Sequence, residues 1–369
     1  MLTHDEVVWG YRYLLGRDPE SAEVVALQAV QYADWPEFRA ALLGSSEYAA
    51  RGIQEQAVNR LLLFGAYGNG NFGDDIQAWS LRNHILRLTG CFEPWATTTF
   101  QQDFPFPADR IAPHSTIHSV AELEKFDAVL IGGGGLLACP HWPLNDHQWM
   151  STLTRPIALL ALGATSAVAD NAVELIRKAV FVSARDKESH QALSRHTSGV
   201  VDMPDPVLVD SSLPIPQSVD QKWKTCWILR GPPGSLHDEV RERIEPSDIV
   251  VCVEPLIDKE LEAVFANVYF TRDLKELLGF IAASERVVSM RFHGAILGLR
   301  CGKPTYGLEV RKTRLLLEEL GVPEAFAYTP IKLDFSTPYR LDLVSEVIRK
   351  KAQMFDWAMV TALLKLAMR

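Results

Sequence analysis

Apolar runs of strand length alternate with helical stretches along most of this chain, and this alternation constrains the fold more than any other feature. The first series starts at Asn59 and includes LLLFGA, AVLIGG, PIALLALG and AVFVSA. A second series follows Pro216 and includes TCWILRG, IVVCVEP, NVYFT, RVVSM and PTYGL. Strands that are apolar throughout and alternate with helices form parallel sheets covered on both faces. The pattern therefore predicts an α/β protein with two doubly wound, Rossmann-like domains that face a cleft.

The same patterns divide the chain into segments. At 369 residues and 47% hydrophobic content, it is long enough to bury two cores. We expect a small all-α module at 1–52, a first Rossmann-like domain at 58–210 and a second at 220–335. Residues 340–369 predict a long amphipathic helix. Packing back on the domains is the commoner fate of such a helix, and peripheral attachment to the inner face of the membrane is the alternative.

Charge and cysteine usage exclude several classes of protein. The net charge is −9 and there is no long basic run, so we expect no nucleic-acid partner. The five cysteines are scattered without a CxxC pair, which is typical of a reducing compartment. No apolar run approaches the length of a transmembrane helix. These features predict a cytoplasmic protein, and they do not indicate its oligomeric state.

The stretch FGAYGNGNFGDDI contains Gly68-x-Gly70-x-x-Gly73, the spacing of a dinucleotide-binding loop. Such a loop places a pyrophosphate on the N-terminus of the next helix. Here Asp74 and Asp75 are expected as N-cap and first-turn residues of that helix, where their charge would repel a diphosphate.

The ribose-binding acid of a dinucleotide site also has no convincing counterpart. Glu93 has the expected spacing but lies beside Pro94, with no clear second strand ending at it. We therefore expect no NAD and no other cofactor. Asn71 and Asp74, on the polar edge of the loop, are expected to face the hydroxyl groups of an acceptor.

Ligands of parallel α/β sheets gather at the carboxyl ends of the strands. There, AVLI is followed by a loop of glycines at 132–135, in which Gly133 and Gly134 are candidate donor-binding residues. Three other strand ends are followed by Arg185, Arg291 and Lys312. A single arginine would be read as a surface residue or the partner of a nearby acid. The three cations together, in an acidic chain, favour an anion site.

His293 lies two residues after Arg291 and is followed by Gly294, which leaves space beside it. A lone histidine in an apolar setting is usually a packed core group. Because its intrinsic pKa is near neutral, this one could also give or take a proton. We therefore treat His293 as a candidate catalytic residue together with Arg291.

The segment CPHWPLNDH contains zinc ligand types at Cys139, His141, Asp146 and His147. Prolines interrupt the segment, and its histidines do not form an i, i+3 or i, i+4 helical pair. We therefore expect no metal.

Several motifs in order resemble one family, the polysaccharide pyruvyl transferases. The resemblance covers about residues 58–322, and its motifs are YGNGNFGDD (67–75), VLIGGGGLL (129–137), SARDKES (183–189), DPVL (205–208), SMRFHGAILGLRCGKP (289–304) and RKTRLLLEELG (311–321). It implies a fold similar to that of two-domain glycosyltransferases of the B type. It also implies an enzyme that transfers pyruvate from phosphoenolpyruvate, its co-substrate, to a sugar as a ketal.

By this resemblance, Arg185, Arg291 and His293 fall on the donor-site arginines and histidine of the family, and Lys312 falls on a frequent lysine. The implied acceptor is a glycan or a lipid-linked sugar of a bacterial polysaccharide. The chain departs from the family in a long loop at 139–149 and in its doubled acid at 74–75. The first fifty residues resemble a small helical module that accompanies bacterial glycan enzymes.

Two other functions remain as alternatives. A glycosyltransferase with a nucleotide-sugar donor would use the same architecture and the same anion site. A non-catalytic scaffold for glycan assembly would use the N-terminal helices as its contact surface. The Arg291-x-His293 pair argues against a scaffold.

Overall fold

The computed structural model describes residues 2, 4–15, 17–33, 35–50, 59–88, 92–98, 106, 108–113, 120–138, 152–217 and 219–367. The chain begins with a helical module that contacts the following domain through its third helix. Its helices are α1 (His4–Leu14), α2 (Ala22–Gln31), α3 (Trp35–Leu43) and α4 (Ser46–Ala50).

The first α/β unit contains, among the described residues, a parallel sheet of seven strands in the order β3-β2-β1-β4-β5-β6-β7. The strands are β1 (Asn59–Phe64), β2 (Phe92–Thr98), β3 (Ile111–Pro113), β4 (Ala128–Gly132), β5 (Ile157–Leu162), β6 (Phe181–Ala184) and β7 (Val201–Asp202). The helices are α5 (Phe72–Leu88), α6 (Val120–Leu123), α7 (Ser166–Asn171), α8 (Val173–Lys178), α9 (Lys187–Ser194) and α10 (Pro206–Val209). Every residue of β4 and β5 is buried, as expected for a sheet covered on both faces.

The second unit contains, in the described range 219–367, a parallel sheet of six strands in the order β10-β9-β8-β11-β12-β13. The strands are β8 (Trp223–Leu229), β9 (Ile249–Cys252), β10 (Val268–Phe270), β11 (Ser284–Ser289), β12 (Thr305–Leu308) and β13 (Phe326–Ala327). The helices are α11 (Ser235–Arg243), α12 (Pro255–Asp258), α13 (Leu274–Ala282), α14 (Phe292–Arg300), α15 (Arg311–Glu319) and α16 (Leu341–Ala367). The predicted class, two Rossmann-like α/β units after a small helical segment, is confirmed.

One strand was missed and one local expectation was wrong. Glu93 lies in a strand that the sequence did not reveal, because β2 pairs in parallel with both β1 and β3 although Pro94 cannot donate a ladder hydrogen bond. Glu93 is nevertheless at the start of β2, whereas a ribose-binding acid lies at the carboxyl end of its strand. Asp74 is not the N-cap of α5: the side chain of Asn71 accepts a hydrogen bond from Gly73 N (3.0 Å), and the helix begins at Phe72.

The last helix, α16, returns from the second unit to the first. It contacts α5 and α10, and it buries Phe355, Ala358 and Met359. Arg87 on α5 donates to Asp356 on α16 (3.0 Å). Within the described ranges, no helix combines the length and the apolar character needed to cross a bilayer.

In each sheet the strand order reverses at one point, between β1 and β4 and between β8 and β11. The crevice at such a point is where open parallel sheets bind ligands. The glycine-rich loops at 65–71 and 133–135 leave the first sheet there, and Arg230 and Arg291 follow the strands at the reversal of the second. The two reversal points line one cleft between the units.

Candidate active site

The glycine-rich loop after β1 is held by a carboxylate of α5, the helix that follows it. Buried Asp75 accepts hydrogen bonds from Gly68 N (2.6 Å) and from Arg272 Nη2 (2.7 Å). Arg272 also donates to the carbonyl oxygen of Gly70 (3.1 Å). The Gly68 N–H therefore already has a partner within the protein. Arg272, from the second unit, links the loop to Asp75 by its two hydrogen bonds.

The third glycine of the motif makes room for a side chain. A Cβ atom added to Gly73 would lie 2.0 Å from Nδ1 of His293. His293 belongs to the first turn of α14 in the second unit. The glycine spacing that imitates a dinucleotide loop thus lets the imidazole approach the first turn of α5.

The other imidazole nitrogen faces a buried carboxylate. His293 Nε2 lies 3.3 Å from Asp205 Oδ2. Asp205 caps α10 by accepting a hydrogen bond from Val207 N (3.1 Å), and it also accepts one from the Gln77 amide. Burial favours the neutral acid, but the charges of His293 and Arg185 outweigh it, so the pKa of Asp205 lies below its ordinary value. Asp205 is therefore a buried carboxylate within ion-pair distance of the histidine, although Nε2 has no hydrogen-bond partner among the described residues.

Asp205 had no predicted role, although it is the acid of the DPVL motif at 205–208. The signal in the sequence was an Asp-Pro step just after a strand, which is typical of a capping carboxylate at the start of a helix.

Arg185, directly after β6, carries a largely unsatisfied guanidinium. Its side chain is 5% exposed and lies over the Phe292 ring, 5.2 Å from the centroid. The closest acids, Asp186 and Asp205, lie 3.7 Å and 3.8 Å away, too far for hydrogen bonds. Nη2 has no hydrogen-bond partner among the described residues. A buried cationic donor of this kind is costly unless a ligand binds it.

Lys312 adds a second cation to the same region. It lies in the first turn of α15, and a Cβ atom added to Gly135 would lie 3.0 Å from its Nζ. Burial, followed by the charge of Arg185, lowers the pKa of Lys312. Lysine and arginine therefore lie close enough to repel each other, and an anion bound between them would relieve that repulsion.

Asp74 is a carboxyl group close to His293, Lys312 and Arg185. Burial raises its pKa to about 6, although His293, Lys312 and Arg185 oppose the shift. A Cβ atom added to Gly134 would lie 2.9 Å from Asp74 Oδ1. Asp74 can therefore exchange a proton near neutral pH.

The two predicted donor-binding glycines lie in different places. Both have left-handed backbone conformations, with φ of 73° at Gly133 and 72° at Gly134. Gly134 lines the cleft, whereas Gly133 packs against Gln77. The predicted role of Gly133 in binding a donor stays a prediction.

Arg291 forms ion pairs with two carboxylates of its own unit. Nη2 donates to both oxygens of Asp258 (2.7 Å and 2.9 Å), and Nη1 lies 2.6 Å from Glu254. The guanidinium borders the cleft. Most of its N–H groups bind carboxylates at the two ends of α12, where Glu254 is the N-cap and Asp258 the last residue. The predicted catalytic and donor-binding roles of Arg291 stay predictions.

The cleft between the units has a volume of about 410 Å³. Among the described residues, it is lined by two carboxylates, Asp74 and Glu254, and by five cations: Arg185, Arg230, Arg291, Arg311 and Lys312. Arg291 and Glu254 pair with each other, and the four remaining cations exceed the one remaining carboxylate. This excess of positive charge, in a chain of net charge −9, suits a small polyanion.

The described residues contain no group of three or more His, Cys, Asp or Glu side chains that could hold a metal ion. The candidate ligands of CPHWPLNDH lie outside the described residues, so the expectation of no metal stays a prediction.

Comparison with known proteins gives a family and a fold. A family model described as polysaccharide pyruvyl transferase matches residues 71–311. No curated protein matches. Among solved structures, the S. aureus MnaA–UDP complex has a TM-score of 0.52 at 13% identity and covers 81% of this chain and 91% of its own. The Methanocaldococcus jannaschii UDP-GlcNAc 2-epimerase with UDP-GlcNAc and UDP has a TM-score of 0.50 at 12% identity, covering 78% of this chain and 92% of its own. At such identities the likeness shows the fold alone.

Proposed function

Since this chain belongs to the polysaccharide pyruvyl transferase family, we propose that it transfers pyruvate from phosphoenolpyruvate to a sugar, as a ketal. The observation that carries the proposal is the buried Arg185, whose Nη2 has no partner in the described part of the chain, beside Lys312 in a positively charged cleft. We retain a glycan or lipid-linked sugar as the acceptor and the cytoplasm as the location.

Phosphoenolpyruvate carries a carboxylate and a phosphate on a small framework. A planar guanidinium binds such groups through two parallel hydrogen bonds, whereas an ammonium group acts as a point charge. Arg185 and Lys312 supply one cation of each kind. The backbone of Gly134 and Gly135 forms the cleft wall beside them. This arrangement supports binding of both anionic groups of the donor.

The reaction moves protons between its reactants but takes up no proton from solution. A proton adds to the methylene carbon of phosphoenolpyruvate, and the neighbouring carbon becomes cationic. Two hydroxyl oxygens of one sugar bond to that carbon while its bond to the phosphate oxygen breaks. Of the two hydroxyl protons released, one balances the new methyl hydrogen and the other leaves on inorganic phosphate. The enzyme must therefore carry protons between the hydroxyls and the methylene carbon.

We propose that Asp74 and His293 carry these protons. We assign Asp74, with a pKa of about 6, as the base that accepts a hydroxyl proton when it is ionised. We assign His293 as the acid that protonates the methylene carbon. Asp205, 3.3 Å from Nε2, stabilises the protonated imidazole. Asn71 lines the cleft beside Asp74, and both are retained as contacts of the acceptor hydroxyls.

Arg291 has a less direct part in this proposal. Because its guanidinium already binds Glu254 and Asp258, it acts first as the support of the cleft wall at α12. Any contact that it makes with the donor would use the edge of the guanidinium that borders the cleft.

A nucleotide-sugar donor remains the second candidate, because the same positive cleft would attract a diphosphate. Calorimetry with phosphoenolpyruvate, UDP and GDP separates the two functions. We expect saturable binding of phosphoenolpyruvate and little binding of the nucleotides; the reverse order would overturn the proposal. Mass spectrometry of glycosides incubated with the protein and phosphoenolpyruvate then tests for the ketal.

A further inference from the structure

A second cavity, of about 860 Å³, adjoins the cleft. It lies among α9, the segment after β7, α15 and α16, and we call it the flank cavity. Among the described residues, Arg185, Phe292 and Lys312 line both spaces. A ligand in the flank cavity would therefore adjoin a donor bound at the two cations. Both volumes are in the range of ordinary ligand sites.

The two spaces differ in charge. In the described chain, the flank cavity is lined by as many carboxylates as cations. The carboxylates are Asp186, Asp202, Asp205, Glu318 and Glu319. The cations are Arg185, Lys187, Lys312, Lys350 and Lys351. The cleft has five cations and two carboxylates, so a polyanion is favoured there and an uncharged ligand is favoured in the flank cavity.

Several charges of the flank cavity are also satisfied by each other. His190 Nδ1 lies 2.6 Å from Asp202 Oδ1, and both residues line the cavity. Lys351 on α16 donates to Glu319 on α15. Such pairs still offer lone pairs and N–H groups to hydroxyls, but they leave little net charge to attract a phosphate.

The floor of the flank cavity is apolar. Met203, Leu208 and Leu316 are buried beneath it, while Met354 on α16 is 50% exposed at its edge. Sugar rings have C–H faces that pack on apolar side chains and hydroxyls that bond to polar rims. A lipid chain would bury the charged rim without pairing it, and the phosphates of a nucleotide would meet no excess of positive charge among five carboxylates and five cations.

We propose that the flank cavity binds the non-reacting sugar residues of a neutral acceptor glycan, while its reacting ring lies in the cleft beside Asp74. This inference rests on the proposed function in taking a sugar as the acceptor. It predicts that the enzyme recognises an oligosaccharide better than a single sugar, because a monosaccharide would leave the flank cavity empty.

The test uses neighbouring positions on α16. Met354 lines the flank cavity, whereas the adjacent, exposed Gln353 does not. Met354→Trp narrows the cavity and Gln353→Trp is its matched control, because each adds an indole to an exposed helical position. Gln191→Trp, on the part of the wall formed by α9, is an independent second block.

The probes are p-nitrophenyl glycosides of glucose, galactose, mannose and N-acetylglucosamine, and the di-, tri- and tetrasaccharides of each. Their affinity for the full chain is measured by calorimetry at saturating phosphoenolpyruvate, with UDP and anionic phosphatidylglycerol vesicles as competitors. For wild type and Gln353→Trp, we expect affinity to rise with glycan length. Met354→Trp and Gln191→Trp should lower oligosaccharide affinity by about tenfold, the loss of one good contact, without changing monosaccharide or phosphoenolpyruvate affinity.

The inference is overturned if no neutral glycoside binds, if affinity is independent of length, or if both blocking variants bind oligosaccharides normally. Displacement of the glycan from the Met354 side of the flank cavity by UDP or by the vesicles would also overturn it. If phosphoenolpyruvate does not bind to the wild-type protein, the proposed function is contradicted instead. A length dependence abolished by Met354→Trp would, in that case, still support a glycan site in the flank cavity.

Discussion

Arg272 donates to Asp75 over 2.7 Å, and this ion pair joins the second α/β unit to the glycine-rich loop of the first. Asp75 is 2% exposed, so removing Arg272 leaves a buried carboxylate without its cation. We expect Arg272→Ala to lower the free energy of unfolding by about 3 kcal/mol. Arg241→Ala, which breaks the exposed Arg241–Asp238 pair, should cost less than about 1 kcal/mol. Urea denaturation measures both, and equal costs would contradict a structural role for the Arg272 pair.

Arg185→Lys should weaken donor binding although it keeps the charge. The substitution removes the planar fork, and charge-assisted hydrogen bonds contribute about 1.5–3 kcal/mol, so the Kd for phosphoenolpyruvate should rise roughly tenfold to a hundredfold. Arg195→Lys is the matched control, because Arg195 is exposed and lies 3.8 Å from Asp170, away from the cleft. Calorimetry that finds the same affinity for both variants would show that Arg185 does not bind the donor.

Gly73→Ala should impair the site without unfolding the protein. Its new methyl group would displace the His293 imidazole, which lies 2.0 Å from the ideal Cβ position. Gly279→Ala is the control, since a Cβ atom at this helical glycine meets nothing within 4 Å. We expect phosphate release to fall sharply in Gly73→Ala and to stay normal in Gly279→Ala, with circular dichroism unchanged in both. Normal activity of Gly73→Ala would mean that the close approach of His293 is not required.

His293→Gln should separate turnover from binding. Glutamine keeps hydrogen-bonding groups of similar reach but does not carry a proton at neutral pH. General acid–base groups contribute on the order of 10²–10⁴ in rate, so kcat should fall about a hundredfold or more. The affinity for phosphoenolpyruvate should change little. If phosphate release proceeds at nearly the normal rate, His293 is structural and Asp74 becomes the next candidate for the acid.

Asp74→Asn should lower activity and raise stability at pH 7.5. Burial raises the pKa of Asp74 to about 6 in the folded protein, above its value of 3.8 in an unfolded chain. The carboxyl therefore contributes stability below pH 4 that is lost as the pH rises through 6. The amide does not ionise, so the Tm advantage of the variant should be largest above pH 7 and should shrink towards pH 4.

The same titration predicts the pH dependence of catalysis. As the base, Asp74 must be ionised, so kcat/KM of the wild type should rise between pH 5 and pH 7 with an inflection near 6. Asp74→Asn should remove this inflection along with most of the activity. An unchanged profile in the variant would assign the titration to another group.

The sequence specifies the architecture, because strand-length apolar runs between helices have few ways to bury themselves other than in covered parallel sheets. It also placed Arg185, Arg291, His293 and Lys312 at strand ends or helix starts, since topology sends those positions to the same edge of a sheet. It failed at β2, where Pro94 and polar residues hide a strand that tertiary pairing stabilises from both sides.

The contacts of each of these side chains depend on long-range packing. Arg185 and Arg291 both follow buried strands, yet Arg291 binds two carboxylates while Arg185 keeps an unpartnered Nη2 within the described residues. The reason is that their partners come from elements distant in sequence. His293 likewise finds Asp205 and Gly73 only when the two units close on each other, because local periodicity specifies the face on which a residue lies and long-range packing specifies its neighbours.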